Sequence, residues 1–328
     1  MPTNFPCTAE QLAHAAAALR RGELVAMPTE TVYGLAADAR NALAIAQVFA
    51  LKGRPTNHPV IVHVRSFGEV AEWARAVPEA ARVLAAAFWP GPLTMILPRA
   101  PGVLDAVTGG QDSVGIRVPR HPTALALLNR FGGALVAPSA NRFGHVSPTT
   151  AEHVRAEFEQ AALPIILDGG ACELGIESTI VDLRGNAVRV LRPGSIAVQQ
   201  IADLLCCEVT LGPAQQALRV SGEQLSHYAP STRAELHTRA ALIVRHAQLR
   251  AAHISCTLLV RGQLPPAGAG IALSQDSEAY AQQMYAALRS CDNAGVQRIL
   301  IESPPDEPRW HAVLDRLTRA VHREAESP

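Results

Sequence analysis

The sequence predicts a mixed α/β fold, in which helices cover a sheet and a smaller α/β domain follows. Over residues 1–209, short apolar runs of strand length alternate with helical patterns, which is typical of a sheet covered by helices. The spacing is irregular and the run Val114–Val118 has no helix before it, so we expect a mixed sheet. Residues 210–236 are rich in glycine, proline and serine without clear periodicity, which predicts a linker. Residues 237–328 then form the second domain.

The elements follow from periodicity and end signals. Thr8 and Gln11 have the spacing of a capping box and open the first helix. The helices predicted before the linker are Thr8–Arg20, Ala42–Leu51, Phe67–Ala76, Pro78–Phe88, Pro122–Phe131, Thr149–Phe158 and Ala197–Leu205. The strands predicted there are Leu24–Met27, Val60–Val64, Leu93–Leu97, Val114–Val118, Ala134–Ala137, Ile165–Leu167, Thr179–Leu183 and Val188–Leu191. After the linker we expect strands Ala241–Val244, Cys256–Val260 and Arg298–Ile301, and helices Ser277–Ser290 and Arg309–His322.

Composition narrows the classes of function. The formal net charge is +0, so no global electrostatic attraction to nucleic acid is expected. Six cysteines without Cys-x-x-Cys spacing indicate reduced thiols in a cytoplasmic protein. No apolar run approaches the ~20 residues that span a bilayer, so we expect no membrane association.

Polar clusters follow several of the apolar runs, where ligand-contacting loops of α/β proteins lie. The first is Pro28-Thr29-Glu30-Thr31-Val32-Tyr33-Gly34, which could also be a polar turn. In the second, Lys52 and Arg54 suit an anionic ligand, although cations at a helix C-terminus are also common. His63 lies inside a strand, where a histidine is more often a core residue than a ligand.

The remaining clusters contain Arg117, Ser139 with Asn141, Glu177 with Ser178, and Arg192. Arg117 lies within an apolar strand, and a buried arginine needs a counter-charge or a bound anion. The sequence has no phosphate-binding Gly-x-x-x-x-Gly-Lys-Ser/Thr loop, no His-Glu-x-x-His and no Gly-x-Ser-x-Gly. The clusters are rich in hydroxyls and arginines and poor in candidate covalent nucleophiles, which favours the positioning of an anionic, hydroxyl-bearing substrate.

Taken together, the clusters resemble the threonylcarbamoyl-AMP synthases, the YrdC-like family, in its long form with an extra C-terminal domain. The matching motifs occur in the family's order over residues 24–230. They are Pro28–Leu35, Lys52–Pro55, Trp89–Thr94, Arg117–Pro119, Pro138–Asn141, Ser147–Thr149, Glu177–Thr179, Arg192–Gly194 and His227–Pro230. The resemblance implies a twisted mixed-sheet catalytic domain over residues 1–209, a linker over the active site and a smaller Rossmann-like domain.

The resemblance also implies the reaction: L-threonine, bicarbonate and ATP give threonylcarbamoyl-AMP, diphosphate and water. The product then serves a downstream tRNA threonylcarbamoyl transferase complex, and the chain itself would contact tRNA at most weakly. Mg²⁺ would accompany ATP without a dedicated protein metal site. Lys52 and Arg54 are the implied catalytic residues. The implied threonine contacts are Thr31, His63, Arg117, Ala137 (by backbone) and Ser178. The implied ATP contacts are Arg54, His58, Ser113, Ser139, Asn141, Ser147, Arg192 and Tyr228.

Two departures and two alternatives accompany this prediction. His58 stands where the family more often has asparagine, and the linker lacks the Pro-Gly-Met that usually precedes the His-Tyr pair. The alternatives are an RNA-binding YrdC-like module without catalysis and a transferase that uses carbamoyl-adenylate. The net charge of +0 weighs against the first. Against the second, the sequence contains nothing that resembles a zinc-finger or acylphosphatase module.

Overall fold

The computed structural model describes residues 7–159, 165–212, 218–220, 222 and 227–322. The helices among them are α1 (Ala9–Arg20), α2 (Ala42–Lys52), α3 (Glu79–Phe88), α4 (Asp105–Thr108), α5 (Pro122–Phe131), α6 (Ala151–Glu157), α7 (Val198–Leu205), α8 (Arg239–Ala251), α9 (Ser277–Asp292) and α10 (His311–Val321). Short 3₁₀ helices cover Phe67–Glu72 and Pro308–Trp310.

The strands before the predicted linker are β1 (Val25–Met27), β2 (Gly34–Asp38), β3 (Val62–His63), β4 (Leu93–Pro98), β5 (Ser113–Arg117), β6 (Leu135–Val136), β7 (Ile165–Ile166), β8 (Thr179–Asp182) and β9 (Val188–Arg192). The strands that follow are β10 (Val209–Leu211), β11 (Ala234–His237), β12 (Cys256–Arg261), β13 (Gly270–Leu273) and β14 (Arg298–Glu302).

The chain divides into two compact units. The first unit contains Met1–Phe143, Pro148–Glu173 and Glu177–Glu223. The second contains Gln224–Pro328 together with the short segments Gly144–Ser147 and Leu174–Ile176. Both short segments lie within residues 1–209, which we predicted to form the first domain.

The first unit is built on a ten-stranded sheet in the order β10-β9-β8-β4-β5-β3-β6-β2-β1-β7. The sheet contains parallel pairs, such as β3 with β5, and antiparallel pairs, such as β4 with β5. The prediction of a mixed sheet is therefore confirmed.

Local sequence signals set the ends of the first helices. The capping box of α1 is confirmed, because the Thr8 side chain accepts from the backbone of Gln11. Asn41 caps α2 by accepting from Leu43 N at 3.0 Å. Gly53 ends α2 in the left-handed conformation, with φ of 63°. This ending places Lys52 in the last turn of the helix.

The second unit contains a four-stranded sheet in the order β11-β14-β12-β13, and all its neighbouring strands run parallel. The predicted strand Ala241–Val244 is wrong, because these residues lie in α8. Thr238 caps that helix, and Leu242, His246 and Leu249 form its buried side. Ile243 and Val244 are exposed, so their β-branched side chains misled the prediction.

Other predictions need smaller corrections. The predicted helix Phe67–Ala76 is a 3₁₀ helix that ends at Glu72, and its N-cap Ser66 makes no side-chain cap bond. The strands β2, β10, β11 and β13 were not predicted. Within the predicted linker 210–236, residues 213–217, 221 and 223–226 lie outside the described residues. Its two ends belong to β10 and β11.

Candidate active site

One face of the first sheet carries side chains from the five neighbouring strands β9, β8, β4, β5 and β3. In the strand register, His63 on β3 pairs with Arg117 on β5. Thr94 on β4 pairs with Ile180 on β8, which in turn pairs with Arg192 on β9. Side chains of directly paired residues point to the same face of a sheet. Register therefore groups residues that are far apart in sequence.

The two faces of these strands differ in character. On β5, Ser113, Gly115 and Arg117 alternate with Val114 and Ile116. Val114 and Ile116 belong to the main core, which is also lined by Val62, Met95, Val181 and Val190. The other face carries the polar residues. The buried core thus fixes which side chains are left for a ligand.

Three hydrogen bonds hold the Arg117 guanidinium on the polar face. Its Nη2 donates to Glu30 Oε1 at 2.7 Å, its Nη1 to Thr31 Oγ1 at 3.0 Å, and its Nε to Gly91 O at 3.2 Å. Arg117 is 4% exposed and Glu30 1%. Glu30 is the counter-charge that the sequence analysis required but did not identify. Three of the five guanidinium N–H groups are used within the described part of the chain, which leaves one N–H on each terminal nitrogen.

The carboxylate of Glu30 is held in its charged form. Burial opposes ionisation, but the charge and hydrogen bonds of Arg117 outweigh it and lower the pKa of Glu30. Its second oxygen accepts from the backbone N–H of Arg120 at 3.0 Å. On the adjacent strand, burial and then the charge of Arg117 lower the pKa of His63 to about 3. His63 is therefore a neutral imidazole beside a cation.

The turn between β1 and β2 explains the first motif. Thr29 Oγ1 donates to Val32 O at 2.6 Å and lies 2.8 Å from Thr31 Oγ1. It also accepts from Val32 N at 3.2 Å. This closed turn directs the Thr31 hydroxyl toward Arg117. Thr31 therefore serves both the turn and the polar face.

Gly34 and Ala137 approach each other closely beside this turn. A Cβ on Gly34 would lie 3.0 Å from the Ala137 Cβ, so a larger residue here would force Ala137 to shift. The Ala137 N–H donates to Ile61 O at 3.3 Å. A backbone contact from Ala137 to a ligand would therefore use its carbonyl oxygen.

Lys52 and Arg54 form a second polar group. The Lys52 amine donates to the carbonyl oxygens of Ser139 and Asn141. It therefore joins the end of α2 to the segment Ser139–Asn141. Burial, and then the neighbouring charge of Arg54, hold the pKa of Lys52 well below its ordinary value. Phe143 is close to this group, with the Arg54 guanidinium 5.7 Å from its ring centre.

Three further contacts complete the placement of this group. Arg54 Nη2 donates to Pro59 O at 2.9 Å. The His58 and Phe143 rings meet edge to face at 5.6 Å. Burial, and then the charges of Arg54 and Arg219, lower the pKa of His58. The segment Ser139–Asn141 is joined to the first motif, because Ala140 N donates to Tyr33 O at 2.8 Å.

Ser178 connects the polar face to Arg192. Arg192 Nη2 donates to Ser178 O at 3.0 Å and to Ser178 Oγ at 3.1 Å. The Ser178 hydroxyl also lies 2.8 Å from Thr94 Oγ1. Thr94 is fully buried, and no role was assigned to it from the sequence. Its presence in the motif Trp89–Thr94 was the available signal.

A small, mainly apolar cleft lies beside these residues, with an enclosed volume of about 20 Å³ and an opening to solvent. Its lining includes Ser113, Gly115 and the three isoleucines Ile61, Ile96 and Ile180. A Cβ on Gly115 would lie 3.2 Å from Ile96 Cδ1, so glycine keeps this floor open.

Residues 218–220 of the predicted linker cover the cleft. Leu218 and Val220 pack with the isoleucines in a small cluster separate from the main core. The Gln111 side chain holds this segment by exchanging two hydrogen bonds with the Arg219 backbone, at 2.8 and 2.9 Å.

Ser147 and Tyr228 belong to the second unit. Tyr228 is buried, has φ of 60°, and stacks on Tyr285 with ring centres 5.6 Å apart. The Arg316 guanidinium lies 5.6 Å from the Tyr228 ring centre. The structure thus brings Thr31, His63, Arg117, Ser178 and Arg192 together on one face of the first unit. Within the second unit, Tyr228 lies among aromatic and arginine side chains.

Two features are absent from the described residues. These residues contain no group of three or more His, Cys, Asp or Glu arranged to hold a metal ion. Nor do they include a helix that is long and apolar enough to cross a membrane.

Comparison with known proteins gives consistent matches along the chain. A family model described as telomere recombination matches residues 17–194. A model described as threonylcarbamoyl-AMP synthase, C-terminal domain, matches residues 196–321. The threonylcarbamoyl-AMP synthase of Pyrococcus abyssi is 36% identical over 323 residues, which cover 93% of this chain and 92% of that protein. The protein of the same name from Bacillus subtilis is 36% identical and covers 98% of this chain and 94% of that protein.

A solved structure is similar over nearly the whole chain. It is that of P. abyssi Sua5 complexed with L-threonine, with a TM-score of 0.88 and 35% identity over 94% of each chain. The fold of both units is therefore shared with a solved protein.

Proposed function

The chain belongs to the threonylcarbamoyl-AMP synthase family, and from that premise we propose that it joins L-threonine, bicarbonate and ATP. The threonine amine and bicarbonate form a carbamate and release water. A carbamate oxygen then attacks the α-phosphorus of ATP, and diphosphate leaves. The chain is thus a nucleotidyltransferase that needs no covalent intermediate with the enzyme, in keeping with a site of hydroxyls, arginines and one lysine.

The observation that carries this proposal is the fixed orientation of the Arg117 guanidinium. Glu30, Thr31 and Gly91 fix its plane and leave one N–H on each terminal nitrogen. That arrangement suits two parallel hydrogen bonds to the carboxylate of threonine. His63, held neutral beside Arg117, offers an acceptor to the threonine ammonium or hydroxyl without adding charge.

A nucleotide would occupy the neighbouring part of the first unit. The small cleft between Ser113 and the isoleucines offers apolar contacts to a nucleobase. Arg54 and Arg192 supply cations for phosphates, together with Mg²⁺ bound to ATP. Lys52 lies beside the same group with a lowered pKa, and a bound polyphosphate would favour its charged form again. His58, Ser139 and Asn141 are the further proposed ATP contacts in this unit, and Ser147 and Tyr228 of the second unit stay predicted ATP contacts.

The product suggests the partners and the location. Threonylcarbamoyl-AMP is an activated acyl-adenylate, so a downstream transferase that modifies tRNA is its expected consumer. We place both proteins in the cytoplasm, where ATP and tRNA meet.

Diphosphate release tests the proposal directly. The full chain with ATP and Mg²⁺ should release diphosphate only when both L-threonine and bicarbonate are present. Serine in place of threonine is the matched control, because it lacks one methyl group. Equal release with serine, or without any amino acid, would contradict the proposal.

A further inference from the structure

The sheet of the second unit has a divergence point between β12 and β14. These strands are parallel neighbours, with Leu258 paired to Leu300. The chain leaving β12 leads to β13 on one side, and the chain leaving β14 leads to α10, which packs against β11 on the other side. In open parallel sheets, ligands bind at the carboxyl ends of strands whose connections diverge in this way.

Arg261 and Glu302 end these two strands and are joined there. Glu302 Oε2 accepts from the backbone N–H of Arg261 at 3.1 Å and from Arg239 Nη1 at 2.7 Å. Glu302 is 4% exposed. Its charge is compensated by Arg239, which is the residue that forms its ion pair.

Three buried donors beside this pair lack an acceptor in the part of the chain that the structure describes. They are Tyr280 Oη, Trp310 Nε1 and Arg261 Nε. Tyr280 is 1% exposed and Trp310 0%. Their rings meet edge to face at 5.4 Å, and the Arg261 guanidinium carbon lies 5.6 Å from the Trp310 ring centre.

The charges of this cluster favour an anion. Among the described residues, no carboxylate lies within ion-pair distance of the Arg261 guanidinium. Burial, and then the nearby charge of Glu302, raise the pKa of Tyr280, so its phenol remains a donor. Two arginines and one glutamate leave the cluster with excess positive charge. Buried donors without acceptors cost stability in a folded protein, and a ligand with oxygen acceptors removes that cost.

We propose that the carboxyl edge of this sheet, between β12 and β14, binds a small oxyanion that accepts hydrogen bonds from Arg261, Tyr280 and Trp310. The ligand class is a phosphate or carboxylate group of a small molecule. This inference is independent of the proposed synthase reaction, because it uses only residues of the second unit.

Indole resonances provide a direct readout in the full chain. The three tryptophans, Trp73, Trp89 and Trp310, give three ¹⁵N indole signals. The Trp310→Phe variant assigns one of them. We expect inorganic phosphate, titrated against chloride at constant ionic strength, to shift the Trp310 signal along a saturable curve. Acetate in a parallel titration distinguishes a carboxylate ligand from a phosphate.

Two variants and one control test the donors. Tyr280→Phe removes a hydroxyl that has no described partner, so the chain should fold normally and bind the anion about three- to tenfold more weakly. Arg261→Gln should weaken binding about tenfold or more. Arg250→Gln removes an exposed positive charge from α8 of the same unit and should leave the affinity unchanged.

Several outcomes would overturn the proposal. A Trp310 signal that responds to neither oxyanion, or equally to chloride, would do so. Unchanged affinity in a folded Tyr280→Phe protein would also remove this residue from the site. Magnetisation transfer between the Trp310 indole and a long-lived internal water, retained at saturating phosphate, would show that the donors bind water.

Discussion

Replacing Arg117 by lysine tests whether its planar guanidinium, rather than its charge, binds the amino acid. Lysine keeps the positive charge for Glu30 but has three donors on one nitrogen and no plane. It can retain the Glu30 bond, whereas the Thr31 and Gly91 bonds and the paired contact with a ligand carboxylate are lost. One charged hydrogen bond is worth about 1.5–3 kcal/mol, so threonine affinity should fall about 10- to 150-fold.

Calorimetric titration with L-threonine measures this loss, and urea unfolding checks that the variant is folded. Two internal hydrogen bonds of Arg117 also disappear, so we expect about 1–3 kcal/mol of destabilisation. Arg120→Lys is the matched control, because Arg120 lies three residues away and its side chain pairs with an exposed Glu173. A loss of about 1.4 kcal/mol in binding free energy corresponds to tenfold weaker binding. A folded Arg117→Lys protein that binds threonine within about twofold of wild type would therefore refute the reasoning.

Three further outcomes follow from other parts of the molecule. Lys52→Met keeps a buried apolar side chain but removes the amine, so the chain should stay folded while diphosphate release is lost. Unchanged turnover would exclude Lys52 from the site. Gln111→Ala removes both hydrogen bonds to the Arg219 backbone, so hydrogen exchange of residues 218–220 should accelerate. Unchanged exchange would show that these two hydrogen bonds do not hold the segment. Hydrogen bonds from Arg245, and then from His237, lower the pKa of Glu235 from 4.5 to about 2. Its contribution to stability is therefore present above pH 4.5 and is lost as the pH falls toward 2. In urea unfolding of Glu235→Gln, the free energy of unfolding should therefore depend less on pH between 4.5 and 2. An unchanged pH dependence would contradict the assignment.

Local chemistry predicted much of the first unit. The capping pair Thr8 and Gln11 and most apolar runs correspond to observed elements. The need of Arg117 for a counter-charge was also predictable, because burying an unpaired guanidinium is costly. The identity of that partner was not, since Glu30 is far away in sequence and only strand pairing brings it close.

Register is the property that the sequence did not reveal. Thr94 reads as an ordinary strand threonine until β4 is paired with β8, which sets its hydroxyl 2.8 Å from Ser178. A slip of one residue would turn Thr94 to the core and Met95 to the ligand face. Functional residues on strands are therefore recognised from pairing, whereas those in turns, such as Thr29 and Thr31, are visible in the sequence itself.

In the second unit, fewer elements and none of the residues of the proposed oxyanion site were predictable from sequence patterns. Ile243 and Val244 favour a strand by propensity, but the Thr238 cap and the buried side of Leu242 and Leu249 determine a helix. The donors of Tyr280 and Trp310 lie on different elements, and neither belongs to a recognisable motif. They become a candidate site only when the order β11-β14-β12-β13 sets Arg261 beside Glu302. In a parallel sheet the ligand edge follows from strand order, so function in this unit depends on topology more than on any sequence pattern.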